Sequence, residues 1–118
     1  MKRIEDVLDK LSVKYDYHKY NNSDSWYGMV EFWTDTSGQD IPVEFDFDGT
    51  AEDFVKQFCE YAENYDVDDE VELYIGMRGK QGVPNSVIEL HADCQEAKDT
   101  LMNIADELKS AILGEFEE

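Results

Sequence analysis

Between residues 20 and 77 the chain holds a single basic side chain, Lys56, against sixteen acidic ones. A segment so poor in cations repels phosphate backbones and anionic headgroups, which excludes direct binding to nucleic acid or to a membrane surface. No apolar run approaches the roughly 18 residues that a membrane-crossing helix needs. The N-terminus, Met1-Lys2-Arg3-Ile4-Glu5-Asp6, is charged and then amphipathic, unlike a leader, so a soluble cytoplasmic protein is expected. Cysteine is scarce: Cys59 and Cys94 are far apart in sequence and fall on apolar helix faces, as reduced core thiols do. Histidine is equally scarce. His91 lies one turn before Cys94, but two further ligands at zinc-like spacing are missing, and both His91 and His18 read as surface or boundary residues. No Ser or Cys sits in a nucleophile motif, and Gly79-Lys80-Gln81-Gly82 lacks the spacing of a phosphate-binding loop. Neither a metal nor a cofactor is called for.

What the chain does have is apolar and aromatic content. At 42% apolar and 13% aromatic residues it is too rich for disorder, and 118 residues suit one domain, 1–118. The net charge is −19, and it is unevenly spread. Residues 1–19 hold four acids and five bases, and residues 78–118 nine acids and four bases, so the middle carries most of the excess.

The longest pattern is C-terminal. Val87, Leu90, Cys94, Ala97, Leu101, Ile104, Leu108 and Ala111 recur at alternating spacings of three and four, one stripe along a helix from Val87 to Leu113. Pro84 and the capping box formed by Ser86 and Glu89 mark its start, and Gly114 its stop. At 1.5 Å per residue this helix is about 40 Å long, against a diameter of about 35 Å for a compact domain of this size. Its stripe either covers the chain's own sheet or pairs with a second copy.

Upstream, Ile4, Val7, Leu8 and Leu11 fit a short amphipathic helix ending near Ser12. Val13–Tyr20 reads as a tyrosine-rich strand, with Tyr15 and Tyr17 on one face and His18 and Tyr20 on the other. Asn21 to Ser25 is turn chemistry. In Trp26–Thr34, Trp26, Gly28, Val30, Phe32 and Thr34 share one face, while Tyr27, Met29, Glu31, Trp33 and Asp35 share the other. After the turn Thr36-Ser37-Gly38-Gln39, Ile41, Val43, Phe45 and Phe47 alternate with Pro42, Glu44, Asp46 and Asp48, and Pro42 suggests an edge strand. Thr50 can cap a helix with core face Ala51, Phe54, Val55, Phe58, Tyr61 and Ala62. Asp66–Met77 fits either a strand (Val71, Leu73, Ile75) or a short helix; the acids at its start and Arg78-Gly79 at its end favour the helix. The expected fold is therefore α+β: a three-stranded antiparallel meander packed against about four helices, with one sheet face left wet.

Phe45-Asp46-Phe47-Asp48-Gly49-Thr50 resembles the first motif of the haloacid-dehalogenase-like phosphatases. The resemblance implies Asp46 as nucleophile and Asp48 as acid/base beside magnesium. That family's later lysine and acidic ligands are not recognisable, and its doubly wound sheet needs a longer chain. The strand alternates as a half-exposed one does, so the residues read as a strand end, a glycine turn and a helix cap. The same stretch tested as a calcium loop puts Val55 where the twelfth-position glutamate must stand, and fails.

There remains the acidic surface. Glu44, Asp46 and Asp48 point the same way at intervals of about 6.8 Å, twice the 3.4 Å strand rise, and duplex DNA also advances 3.4 Å per phosphate on each strand. Glu31 and Asp35 are expected on that wet face, with Glu60, Glu63, Asp66, Asp68, Asp69, Glu70 and Glu72 extending the field over the following helices. Tyr27 and Trp33, on the strand face of Glu31, are candidate anchors for a partner. The run Phe32-Trp33-Thr34-Asp35 through Gly38-Gln39-Asp40-Ile41-Pro42, with Asp48-Gly49-Thr50 and Met77-Arg78-Gly79, resembles small acidic proteins of unknown function carried on mobile elements of Gram-positive gut bacteria. That resemblance implies a bacterial cytoplasm and an accessory role, and supplies no catalytic residues. The expectation is a non-enzymatic module presenting a DNA-like anionic surface to a basic nucleic-acid-binding protein, such as a restriction or CRISPR nuclease. The alternative is a structural adaptor that homodimerises through the C-terminal helix.

Overall fold

The computed structural model describes residues 1–35, 38, 40–75 and 87–113. The elements run α1 (Lys2–Lys10), β1 (Lys14–Lys19), β2 (Trp26–Trp33), β3 (Asp40–Phe47), α2 (Ala51–Asn64), α3 (Val67–Ile75) and α4 (Val87–Leu108), closed by a turn of π-helix, Lys109–Leu113. The signals expected at Pro84, Ser86 and Gly114, the Arg78-Gly79 pair with the loop through Gly82, and Thr36, Ser37 and Gln39 lie outside the described residues, as does the Glu89 side chain.

Alternation builds the sheet. The strands pair antiparallel in the order β1-β2-β3, with Tyr17 opposite Gly28 and Gly28 opposite Phe45. Val30, Phe32, Ile41, Val43 and Phe47 are buried on one face, and the helices cover that face. β3 is an edge strand, as Pro42 suggests, because a residue without an N–H is tolerated where no second neighbour needs it. Gly28 is where Phe45 crosses the sheet. A β-carbon there would stand 2.5 Å from the Phe45 ring, which also packs edge-on to Phe54 at 4.9 Å.

The helices follow their apolar stripes. Ile4 and Leu8 carry α1 into the core, and Phe54, Val55, Phe58, Cys59 and Ala62 carry α2. α2 starts where Thr50 accepts from the Asp53 N–H at 3.1 Å, relieving one of the helix's orphan donors. On α4, Leu90, Cys94, Ala97, Leu101, Ile104 and Leu108 are all buried within the chain. Its C-terminal half joins the main core, and Leu90 and Cys94 form a satellite cluster with Val71 and Val67 of α3. The segment that fits both periodicities is thus helical over Val67–Ile75, and Gly76 and Met77 lie outside the described residues. Asp66 caps it by accepting from the Asp69 N–H at 3.1 Å, and acids fill its first turn, where the helix dipole favours them.

One sheet layer and one helix layer give a flattened molecule of 40 × 40 × 22 Å. The long helix matches the molecule's longest dimension, with its C-terminal half on the main core and its N-terminal half against α3. Cys59 and Cys94 are buried, and the Cys59 Sγ lies 3.9 Å from the Ala105 carbonyl oxygen, to which it donates. No described helix is long and apolar enough to cross a membrane.

Candidate partner-binding face

The sheet face turned away from the helices is open, and it collects most of the strand carboxylates. In register across it stand the rows Lys14–Glu31–Pro42, Asp16–Met29–Glu44 and His18–Tyr27–Asp46 from β1 through β2 to β3, with Trp33 opposite Asp40. Asp16, Asp40, Glu44 and Asp46 are exposed and Glu31 is half-buried. Lys14 is the one base among the described strand residues that alternate onto this face. No two of these carboxylates are direct cross-strand partners; Asp16 and Glu44 flank Met29 from the two outer strands, about 10 Å apart at a strand spacing of about 4.8 Å, which is about one screening length.

Aromatic rings are set among the carboxylates. Tyr27 stacks against His18 with ring centroids 4.9 Å apart, and Tyr20 completes the cluster at 6.4 Å from Tyr27. The Tyr27 hydroxyl donates to Glu44 and the Tyr20 hydroxyl to Asp46, each at 2.7 Å. His18 Nδ1 lies 3.4 Å from the Asp16 carboxylate. Donation to Glu44, then desolvation, pushes the Tyr27 phenol up to about 12, and Tyr20 is raised chiefly by its bond to Asp46. At the far end Trp33 is 65% exposed, the most open large apolar side chain among those described. It borders a groove of about 660 Å³ lined by Leu11, Lys14, Glu31, Asp40 and Thr100 among others.

The sequence-derived candidates divide by layer. Tyr27, Glu31, Trp33, Glu44 and Asp46 come together on the open face. Asp35 lies just past the end of β2, where its N–H donates to Glu96 of α4 at 2.5 Å. Beside it the Thr34 hydroxyl, fully buried, donates to the buried Asp93, tying the strand end to the long helix. Asp48 is committed to the turn: its carboxylate accepts from the Thr50 hydroxyl at 2.6 Å and from the Thr50 N–H at 2.9 Å, and the first of these chiefly holds it below the usual carboxylate range. Glu60, Glu63, Asp68, Asp69, Glu70 and Glu72 belong to α2 and α3, in the layer across the sheet. Glu63 is paired with Lys109 at 3.4 Å, and Glu70 is partly buried, which raises its carboxyl above the ordinary range. The acidic middle of the sequence therefore becomes two fields on opposite layers.

Four acidic or ring-bearing residues of the face are absent from the sequence-derived set: Asp16, His18, Tyr20 and Asp40. The signal for the first three is period-two alternation running through β1, which brings them onto the face of Tyr27 once β1 and β2 are paired, and for Asp40 it is the alternation of β3 that also places Glu44 and Asp46. The phosphatase-like motif meets a three-stranded antiparallel sheet in place of a doubly wound parallel one, with Asp46 bonded to Tyr20 and Asp48 holding a helix cap.

Fold and site together define an α+β domain with one covered and one open, acidic, aromatic-bearing sheet face. Beyond that class, no protein-family model, no curated protein and no solved structure matches the chain.

Proposed function

We propose that this chain is a non-enzymatic protein-binding module whose open sheet face competes with nucleic acid for a basic nucleic-acid-binding protein, as an inhibitor of restriction or CRISPR nucleases would. The observation that carries this is the juxtaposition of Asp16, Glu31, Asp40, Glu44 and Asp46 with exposed rings on a face holding one lysine. On β3, Glu44 and Asp46 stand two residues apart on this face, about 6.8 Å along the strand, a spacing commensurate with the phosphates of a nucleic-acid strand. Interleaved aromatics supply what carboxylates lack, namely contact area that survives desolvation. A bacterial mobile element, which the sequence motifs suggest, is a setting in which such an inhibitor is useful. Homodimerisation through α4 is the weaker reading, because the stripe it needs is buried against the chain's own α2, α3 and sheet.

The test is competition. A basic DNA-binding protein and a basic protein that does not bind nucleic acid are titrated with the chain at low salt, in the absence and presence of duplex DNA. The expected result is selective binding of the first, displacement by DNA, and loss of binding on Glu44→Gln/Asp46→Asn. Equal binding of both proteins, or binding indifferent to DNA, overturns the proposal.

A further inference from the structure

We propose that the occupant of the open face is a single basic amphipathic α-helix of the partner, laid along β2 with arginines or lysines over Glu31, Glu44 and Asp46 and an apolar residue at each end against Trp33 and the Tyr27–His18 stack. This rests on the binding role proposed above and specifies the shape of the ligand.

The first support is access. Partner strands add to sheet edges, and both edges here are blunted, β3 by Pro42 and β1 by Lys14 and Lys19 at its two ends. The face is left as the route of approach. The second is size. Three strands spaced at about 4.8 Å put the outer strands about 10 Å apart, and a helix with its side chains measures about 10–12 Å across. One helix covers this face and two do not fit. The third is length. Tyr27 and Trp33 are six residues apart on β2 and share the open face, so their anchors stand about 20 Å apart at 3.4 Å per residue. A helix of about 14 residues spans the same distance. Between these anchors the face carries carboxylates, Lys14 and Pro42 opposite Glu31, and half-buried Met29, an unbranched side chain that adapts to whatever lies on it. The charge of the face fixes the sign of the helix, and the exposed Trp33 ring accepts a cation on its face as readily as an aliphatic side chain.

The experiment uses the full chain and three synthetic peptides of equal length and charge. One is an alanine-based helix of about 14 residues with arginines at i, i+4 spacing and leucine at each end; one has the same residues scrambled to spread the arginines around the helix; one is interrupted by two prolines. Binding is read at low salt by tryptophan fluorescence and by amide chemical shifts. The expected result is that the first peptide binds about tenfold or more tighter than the other two, shifts the amides of β2, and loses about tenfold on Trp33→Ala, a substitution at an exposed side chain that leaves the fold intact by circular dichroism. Equal affinity of all three peptides, lost together on Glu44→Gln/Asp46→Asn, overturns the helix while the acidic-face role stands. Tight binding of the first peptide that survives those substitutions and responds instead to Glu60→Gln overturns the location. Failure of all three to bind overturns the inference, and DNA competition on intact basic proteins then decides the broader role independently.

Discussion

Thr50 works in two directions at once. Its hydroxyl oxygen accepts from the Asp53 N–H, and its hydroxyl proton goes to Asp48, while the Asp53 carboxylate accepts from the Asp48 N–H at 2.9 Å. The turn into α2 is a closed ring of hydrogen bonds around Gly49, whose φ of +94° and contact with the Trp26 indole leave no room for a side chain. Thr50→Ala is expected to destabilise the protein by about 1 kcal/mol, as loss of an N-cap does, and to move the Asp48 carboxyl back up toward its ordinary value; chemical denaturation and a carboxyl NMR titration check the two effects. The sign follows from linkage. Asp48 is depressed in the folded state, so its contribution is present above the ordinary carboxylate pKa and lost as pH falls through its folded value. The tyrosines behave in the opposite sense. Tyr17 donates to Glu5 and is raised to about 12, chiefly by that bond, as Tyr27 is by Glu44. A group raised in the folded state stabilises below its unfolded pKa of about 10 and loses that contribution as pH climbs to about 12. Alkaline unfolding of Tyr17→Phe, followed by circular dichroism, is expected to show a shallower loss of stability over this window than wild type.

Lys98 shows what an element can owe to its neighbour. It sits on α4, yet its Nζ donates to the carbonyls of Ala62 at 2.6 Å and Glu63 at 3.4 Å, at the end of α2. α2 has no base of its own in its last turn, so a cation from another helix answers both the orphan carbonyls and the negative end of the dipole. Lys98→Met keeps the aliphatic stem and removes the donor; a loss of about 1–3 kcal/mol is expected, and hydrogen exchange is expected to rise first at the C-terminal turn of α2. This dependence cannot be read from the sequence, because it joins residues 36 apart whose meeting follows only from how α2 and α4 pack. The elements themselves were legible. The three-four spacing from Leu90 to Leu108 forces one buried stripe, and the alternation from Ile41 to Phe47 forces one covered and one wet face. The candidate site was half legible for the same reason. Alternation fixes which side of a strand Glu44 and Asp46 occupy, whereas no local pattern says that the exposed sides of α2 and α3 lie across the sheet from them.

At the scale of the molecule, a net charge of −19 is distributed over two layers separated by a hydrophobic core, and 29 acids face only 10 bases. Among the described residues Lys2–Asp6, Lys10–Glu107 and Lys109–Glu63 form ion pairs, and most of the groups in them are exposed. Such pairs contribute little, and the remaining carboxylates repel one another over a screening length of about 10 Å at 0.1 M salt. Stability is therefore expected to rise with added salt, while binding to a basic partner falls. The two layers make a sharper comparison possible. Glu60→Gln/Glu72→Gln and Glu44→Gln/Asp46→Asn each remove two negative charges, the first pair from exposed positions on α2 and α3, the second from the open sheet face. Long-range repulsion falls in both. Glu60 also stands near the C-terminal end of α2, where a carboxylate opposes the dipole, so its neutralisation adds about 0.3–1 kcal/mol of stability at low salt. In the sheet pair, Tyr20 and Tyr27 keep amide oxygens as acceptors but lose their charged ones, which offsets the relief of repulsion. The helix pair is expected to melt higher than wild type and to bind a basic DNA-binding protein with an affinity within about twofold of it. The sheet pair is expected to melt close to wild type and to lose tenfold or more, about 1.4 kcal/mol or more. Thermal melts and titrations at matched ionic strength measure both quantities. Equal losses of affinity in the two pairs would mean that the partner responds to total charge, and the open face would then hold no privileged position.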